Sequence, residues 1–303
     1  MKRILAFLFS LIFIVSVTTV AVGLVANTQY QGNAMSEAGA LLFGVSSSES
    51  LNWAGYAVTG TNITNVSGSF VVPALATTLS SSAGPNDVSN MNSVSVATPG
   101  IISGEFKNSN AHGSSGGGST TSYAAFWVGI DGYNSNTVEQ AGVLMEDQNG
   151  VAVYSVWYEF YPAAPVYANW APNPGDNITV YVNYTSSNNT FVATVMDTTL
   201  GLKYVSPYTS VSGAARTSAE WITEAPASDN RILPLADFGT AYFGPAYAKD
   251  NPSNYATVNG QSGEIGQFAS VYQINMVQRN GSLKAETSSL QGNDSFYVTW
   301  VSS

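Results

Sequence analysis

The side chains able to do chemistry in this sequence are few, and most familiar catalytic devices lack a partner. There is no cysteine, and His112 is the only histidine. A thiolate nucleophile is therefore excluded, and so is the usual zinc site, which needs three or four nitrogen or sulfur ligands. His112 sits beside GSSGGGSTTS at 113–122, a poor anchor for the rigidly held base of a Ser-His-Asp triad. The glycines at 116–118 follow no strand and open no helix, so they read as linker and not as a phosphate loop. No Asp-Thr/Ser-Gly triplet occurs, and DGY at 131–133 does not match one. Carboxylates, amides, hydroxyls and aromatics remain. The economical design left for hydrolysis is one carboxylate helped by a neutral polar partner, working in acid. Elimination alone does not choose among the 19 acidic residues.

Any such site has to be positioned by strands. Beyond Ser122, short runs rich in Val, Tyr, Phe, Trp and Thr recur between Gly, Asn, Pro and Asp. They include AAFWVGI (124–130), VAVYSVWYEFY (151–161), NITVYVNY (177–184), TFVATVMDT (190–198), AEWITE (219–224), FASVYQINMV (268–277) and SFYVTWV (295–301). In VYSVWYEFY and ITVYVNY alternate positions differ in bulk or polarity, as when one face is buried. A patterned region opens at Leu51 with LNWAGYAV, and Ser69–Val72 before Pro73 reads as a second strand. Helical periodicity is absent after residue 45. The pattern predicts an all-β antiparallel fold, a sandwich or a barrel.

Residues 1–26 have the layout of a secretory signal peptide: Met1-Lys2-Arg3, then an apolar run from Ile4 to about Val22, then small residues at Ala21, Gly23 and Ala26. An uncleaved membrane anchor is the rival reading. Residues 27–48 read as a short pro-segment or disordered lead, and 49–303 as one domain with a Gly/Ser-rich insertion at about 74–121. Only 9% of residues are charged, against about 25% in ordinary domains. With 9 bases against 19 acids, the chain is anionic at neutrality and makes no case for nucleic acid. In strong acid the carboxylates are neutral, and so few bases spare the fold most self-repulsion. A plain Ser/Thr/Asn surface on an exported protein accounts for the composition equally well. Asn-x-Ser/Thr triplets at Asn62, Asn65, Asn177, Asn183 and Asn188 are glycan acceptors only in a host that glycosylates exported chains.

Four segments occur in order: FWVGIDG (126–132), EQAGV (139–143), VWYEFYP (156–162) and AEWITE (219–224). They are flanked by NWAGYAV (52–58) and FVVP (70–73) before, and PLADFGTAYF (234–243) and SFYVTWV (295–301) after. The series resembles the motifs of the glutamic peptidases, the eqolisins, over about residues 50–303. That resemblance implies a concanavalin A-like sandwich of two antiparallel sheets, shaped like legume lectins and glucanases. It also implies an acid endopeptidase with no cofactor and no metal, whose catalytic pair is Gln140 and Glu220. Glu220, ionised, would take a proton from a held water and return it to the leaving amine. The Gln140 amide would stabilise the oxyanion and help hold the water. Trp127, Asp131, Trp157 and Glu159 would line or brace the cleft. If these segments are strands, Trp157 and Glu159 share a face, as do Trp127, Gly129 and Asp131. An unperturbed Glu, titrating near ~4.3, could serve as both base and acid only at about pH 2–5. Many relatives carry an acidic residue two before the Trp of the third motif, where this chain has Ser155; this bears on substrate preference.

The expected partners are polypeptide substrates, with no nucleic acid and no stable membrane association once the signal is removed. The expected product is a secreted monomer working in an acidic environment. Two other functions fit the same sandwich. One is a lectin-like carbohydrate-binding module without peptidase activity. The other is a glycosidase, which needs two carboxyl groups about 5–10 Å apart.

Overall fold

Runs of β-branched and aromatic residues set the chain into strands, and the order of those strands decides which side chains become neighbours. The computed structural model describes residues 44–76, 121–228, 231–248 and 251–303. The expected signal peptide at 1–26, most of the expected lead, His112 and positions 77–120 of the expected insertion lie outside the described residues. The chain enters through β1 (Val45–Ser50), β2 (Trp53–Thr59) and β3 (Asn65–Val71). A meander follows: β4 (Thr121–Ile130), β5 (Val138–Gln148), β6 (Val151–Tyr161) and the short β7 (Val166–Tyr167). A second meander comprises β8 (Asn177–Thr185), β9 (Thr190–Asp197) and β10 (Leu202–Val205). Next come β11 (Ser218–Glu224), the small hairpin β12 (Ala227–Ser228) and β13 (Arg231–Ile232), and β14 (Thr240–Phe243). The chain closes with β15 (Tyr255–Val258), β16 (Gln261–Glu264), β17 (Val271–Val277), β18 (Leu283–Thr287) and β19 (Phe296–Trp300). Among the described residues the one helical element is a 3-10 turn at Ile265–Gln267.

The pairings make two layers. One runs β1-β17-β2-β11-β4-β5-β6-β7 and the other β18-β19-β14-β3-β8-β9-β10, with the β15–β16 hairpin added beside β3. Strand β17 belongs to both, pairing with β2 over Val271–Ile274 and with β18 at Met276 and Val277, where the register shifts. Such a bulged strand lets one sheet turn the corner into the next. Apart from β1, which runs parallel to β17, the ladders between named strands are antiparallel. The two-sheet antiparallel sandwich is thus as expected. Between the layers lies an aromatic core. Phe243 stacks on Phe296 at 4.7 Å, Phe126 meets Phe238 edge-on at 5.4 Å, and the Trp221 indole N–H donates to the Ser67 carbonyl at 2.8 Å. With no cysteine in the chain, this packing and the ladders carry the fold.

Two elements escape the sequence pattern for physical reasons. The strand β1, VSSSES, begins ahead of Leu51, where the pattern was expected to open. It has almost no apolar signal because its ladder to β17 holds it. Strand β5 shows no alternation because Val138–Met145 is buried on both faces. One of those faces looks into the core; the other carries the candidate site.

Candidate active site

Cross-strand register aligns the site residues before any side chain is considered. Glu220 on β11 pairs with Gly129 on β4, Gly129 with Gln140 on β5, and Gln140 with Glu159 on β6. Directly paired residues point to the same face of a sheet, so Glu220, Gln140 and Glu159 project together, away from the core. The next row on that face reads Ile222, Trp127, Gly142 and Trp157. In each row a glycine sits between two working side chains. A Cβ on Gly129 would lie 3.0 Å from the Trp127 ring and 3.1 Å from the Gln140 Cβ. A Cβ on Gly142 would lie 1.9 Å from the Phe126 carbonyl oxygen. The backbones of Glu220 and Gln140 are two strands apart, about 10 Å, and the missing side chain of Gly129 leaves them free to lean together. Gly129→Ala is expected to displace Gln140 or Trp127 and lower turnover about tenfold or more with little change in melting temperature, since small misplacements at a reacting centre are expensive. Parallel kinetics and thermal melts check it.

Glu220 is fully buried, Gln140 is 2% exposed and Glu159 is fully buried. The Gln140 Nε2 donates to Glu159 Oε2 at 2.8 Å. An acceptor there requires the nitrogen end of the amide to face Glu159, which leaves Gln140 Oε1 and one N–H for other partners. Gln140 Oε1 and both Glu220 carboxyl oxygens are buried without a hydrogen-bond partner. Unpaired buried polar atoms are rare enough to mark a working site. Burial pushes the Glu220 carboxyl well above the usual carboxylate range. The Ser218 hydroxyl and the Tyr133 amide, close to the carboxyl although outside full hydrogen-bond geometry, moderate the rise, and the nearby Asp131 and Glu139 carboxylates add to it. The ordinary titration near ~4.3 expected from sequence does not hold inside the fold. The reason is desolvation of the charged form.

The described chain thus combines a two-sheet sandwich with a buried Glu–Gln–Glu row on one sheet. Residues 51–300 match the model of the peptidase A4 family. The chain belongs to that family. Aspergillopepsin-2 of Aspergillus niger is 32% identical over 256 residues, 83% of this chain and 78% of that protein. The crystal structure of aspergilloglutamic peptidase from Aspergillus niger is 32% identical at a TM-score of 0.50, covering 59% of this chain and 99% of that one. Scytalido-glutamic peptidase, solved with a peptide-based transition state analog, shares the fold at a TM-score of 0.57. It is 22% identical and covers 82% of this chain and 98% of its own. The glutamic peptidase resemblance is therefore borne out, and the protein is an endopeptidase of polypeptides rather than a lectin-like module.

Around the row, the peptidase places its other expected site residues unequally. Trp127 and Trp157 are buried in the second row, flanking Gly142. The Trp127 indole N–H donates to Glu224 Oε2 at 2.7 Å, and its ring meets Trp53 edge-on at 4.9 Å. Asp131 lies one residue past the end of β4. Its carboxylate accepts the backbone N–H of Arg216 at 2.6 Å and of Thr217 at 2.9 Å, and the Thr217 hydroxyl at 3.3 Å. Its φ of 69° suits Asp better than Ala. It therefore braces the segment that leads into β11 and touches no reacting atom. Asp131→Ala removes two charge-assisted backbone bonds at about 1.5–3 kcal/mol each. A loss of roughly 3 kcal/mol or more is expected in urea unfolding at constant pH.

Two acids were missed by the sequence reading, although both lie inside the quoted motifs. Glu224 closes AEWITE, is buried, accepts from Trp127 and from Asn52 Nδ2 at 3.3 Å, and is pushed up to about 8 by burial. Its place four residues from Glu220 on one strand puts both on the same face, a signal that was available. Glu139 opens EQAGV and is fully buried on the opposite, core-facing side of β5. Nothing in its local sequence announces that. Among the described residues no group of three or more acids or histidines could hold a metal.

Proposed function

We propose that this peptidase cleaves unfolded polypeptides in acid, with Glu220 exchanging protons and Gln140 holding the water and the oxyanion. The supporting observation is the row itself, in which the unpartnered Glu220 oxygens and the unpartnered Gln140 Oε1 share one buried face. Because burial raises its pKa, Glu220 carries its proton in acid, and the cycle starts from the carboxylic acid. Its O–H donates to the scissile carbonyl oxygen while its other oxygen takes a proton from water. Gln140 Oε1 holds that water, and its oxygen forms the new bond to carbon. The Gln140 N–H left over from Glu159 steadies the oxygen that gains charge. Glu220, again protonated, then gives its proton to the leaving amine as the C–N bond breaks. Its other oxygen takes the proton of one hydroxyl of the tetrahedral intermediate, which leaves the product carboxyl and restores the neutral acid. This differs from a start with ionised Glu220, which suits only an unshifted carboxylate.

A retaining or inverting glycosidase is poorly supported. Glu159 stands three strands from Glu220, about 14 Å between backbones, with Gln140 interposed. Asp131 is engaged by the backbone at 216–217. Export through a cleaved signal peptide at residues 1–26, a lead at 27–48, action outside the cell as a monomer, and absence of lasting membrane attachment complete the proposal. Among the described residues no helix is long and apolar enough to cross a membrane. The test is digestion of a denatured protein at pH 2–4 by the parent and by Glu220→Gln, with products read by mass spectrometry. Equal digestion by both excludes Glu220. Cleavage by the parent near neutrality with none at pH 2–4 overturns the acid-active reading.

A further inference from the structure

A buried carboxyl lies on the core side of the strand that carries Gln140. Glu139 is fully buried in the row Ala219, Ile130, Glu139 and Phe160, whose other members are apolar. The one polar group that moderates its burial is the Thr137 hydroxyl close by, and the two do not reach full hydrogen-bond geometry. A carboxylate cannot remain ionised in such surroundings without a large penalty, so the group is accommodated as the neutral acid. Its register partner, Ile130, immediately precedes Asp131. Asp131 in turn grips the amides of Arg216 and Thr217, and the chain passes from there directly into Ser218 and Glu220 on β11.

We infer that neutral Glu139 is a positioning residue for the peptidase. It allows Asp131 to hold the 216–217 segment, and thereby β11 and Glu220, in the working arrangement. Its ionisation sets the upper pH limit of that arrangement. The inference rests on the reading of Glu220 as the reacting carboxyl. Asp131 is the charge that bears most on Glu139, and Glu220 responds to both. From β6 the neighbouring ionisable groups are Tyr158, on the core side beside Phe160, and Glu159 on the far face. Beyond Phe160 the aromatic packing continues through Phe191 to Tyr184 on β8. The Arg216 guanidinium does not neutralise the cluster, because it lies over the Tyr184 ring at 4.0 Å and donates to Asn62 Oδ1 at 3.4 Å. Among the described residues, a charge on Glu139 beside Asp131 would have no paired cation to meet. The cheapest relief is for Asp131 to swing toward water and release the two amides. Burial and Asp131 together hold the Glu139 carboxyl well above the usual range, so the release falls above the acid working range.

Glu139→Gln retains the size and neutrality of the protonated acid at every pH. At pH 3 its cleavage rate is expected to stay within about twofold of the parent. A second readout is independent of activity. In the parent, amide exchange at Arg216 and Thr217, corrected for the intrinsic pH dependence, should lose protection with rising pH before the core strands do. In Glu139→Gln that early loss should disappear. Early loss of protection at both amides in folded Glu139→Gln, as in the parent, overturns the inference. If the variant does not fold, protection of both amides in the parent up to global unfolding overturns it equally. If the amides behave as stated but Glu220→Gln remains active, the link to the 216–217 segment stands and the reading of Glu220 fails.

Discussion

Glu220→Gln is expected to slow cleavage of a denatured protein at pH 3 by about 10³-fold, within the 10²–10⁴ range for losing a positioned acid–base group. The amide has nearly the shape of the neutral acid and fits the same buried position, so the loss should fall on turnover and leave the melting temperature close to the parent's. Gln140→Ala removes the holder of the water and an oxyanion donor, and is expected to cost about 10²–10³-fold. It should cost some stability as well, since Glu159 loses its 2.8 Å partner. Because the two side chains act on one step, the double variant should be little worse than Glu220→Gln alone. The acid side of the pH profile carries more information. If the cycle starts from neutral Glu220, activity should hold level as pH falls below about 4. If an ionised carboxylate with an ordinary pKa were required, the rate would drop about tenfold per pH unit below ~4.3. Full acid proteolysis by both single variants would remove the pair from the mechanism.

The second large effect concerns the fold itself, which should be most stable in acid and weaken toward neutrality. Glu139, Glu220 and Glu224 are all buried with raised pKa values, desolvation being the first cause for each. In the unfolded chain each titrates near ~4.3. Below that value the group is neutral in both states and nothing is lost. Between it and the folded value, the unfolded chain releases a proton that the fold retains, so stability falls by about 1.4 kcal/mol per pH unit for each group. For Glu224, held at about 8 against an ordinary 4.5, the accumulated loss is about 5 kcal/mol by pH 8. That is a large share of the roughly 5–15 kcal/mol by which a domain is stable. Urea unfolding from pH 3 to pH 8 should therefore show a midpoint that is highest in acid and drops steadily above about pH 4.5. Glu224→Gln should flatten the descent, and a midpoint independent of pH would contradict the burial argument. The few lysines and arginines act in the same direction, since they keep the acid form from repelling itself.

How much of this was legible in the sequence follows from what each residue's signal depends on. Chemistry by elimination needed only residue types: no cysteine and one histidine leave carboxylates and amides. Strand character was readable wherever one face is buried and the other wet, as in β8. It faded in β5, where both faces are buried, and in β1, where a ladder does the work of side chains. The choice of Gln140 and Glu220 came from resemblance of motifs, because no local feature separates a buried acid from a solvated one. The shared face of Trp157 and Glu159 followed from a period of two. For Asp131 the rule gives less, because it lies one residue past the end of β4 with a positive φ and its carboxylate is engaged by the backbone at 216–217.

Residue types and their alternation alone carry the chemical inventory, the all-β class and a charge balance poor in bases. Only the tertiary structure decided that Glu220, Gly129, Gln140 and Glu159 form a single row, since register is a long-range property of pairing. Only burial decided the protonation state. Glu220 was expected to be an ordinary carboxylate that ionises in mild acid. Packed between strands, without a hydrogen-bond partner and with two other acids nearby, it holds its proton, because water is no longer there to stabilise the charge.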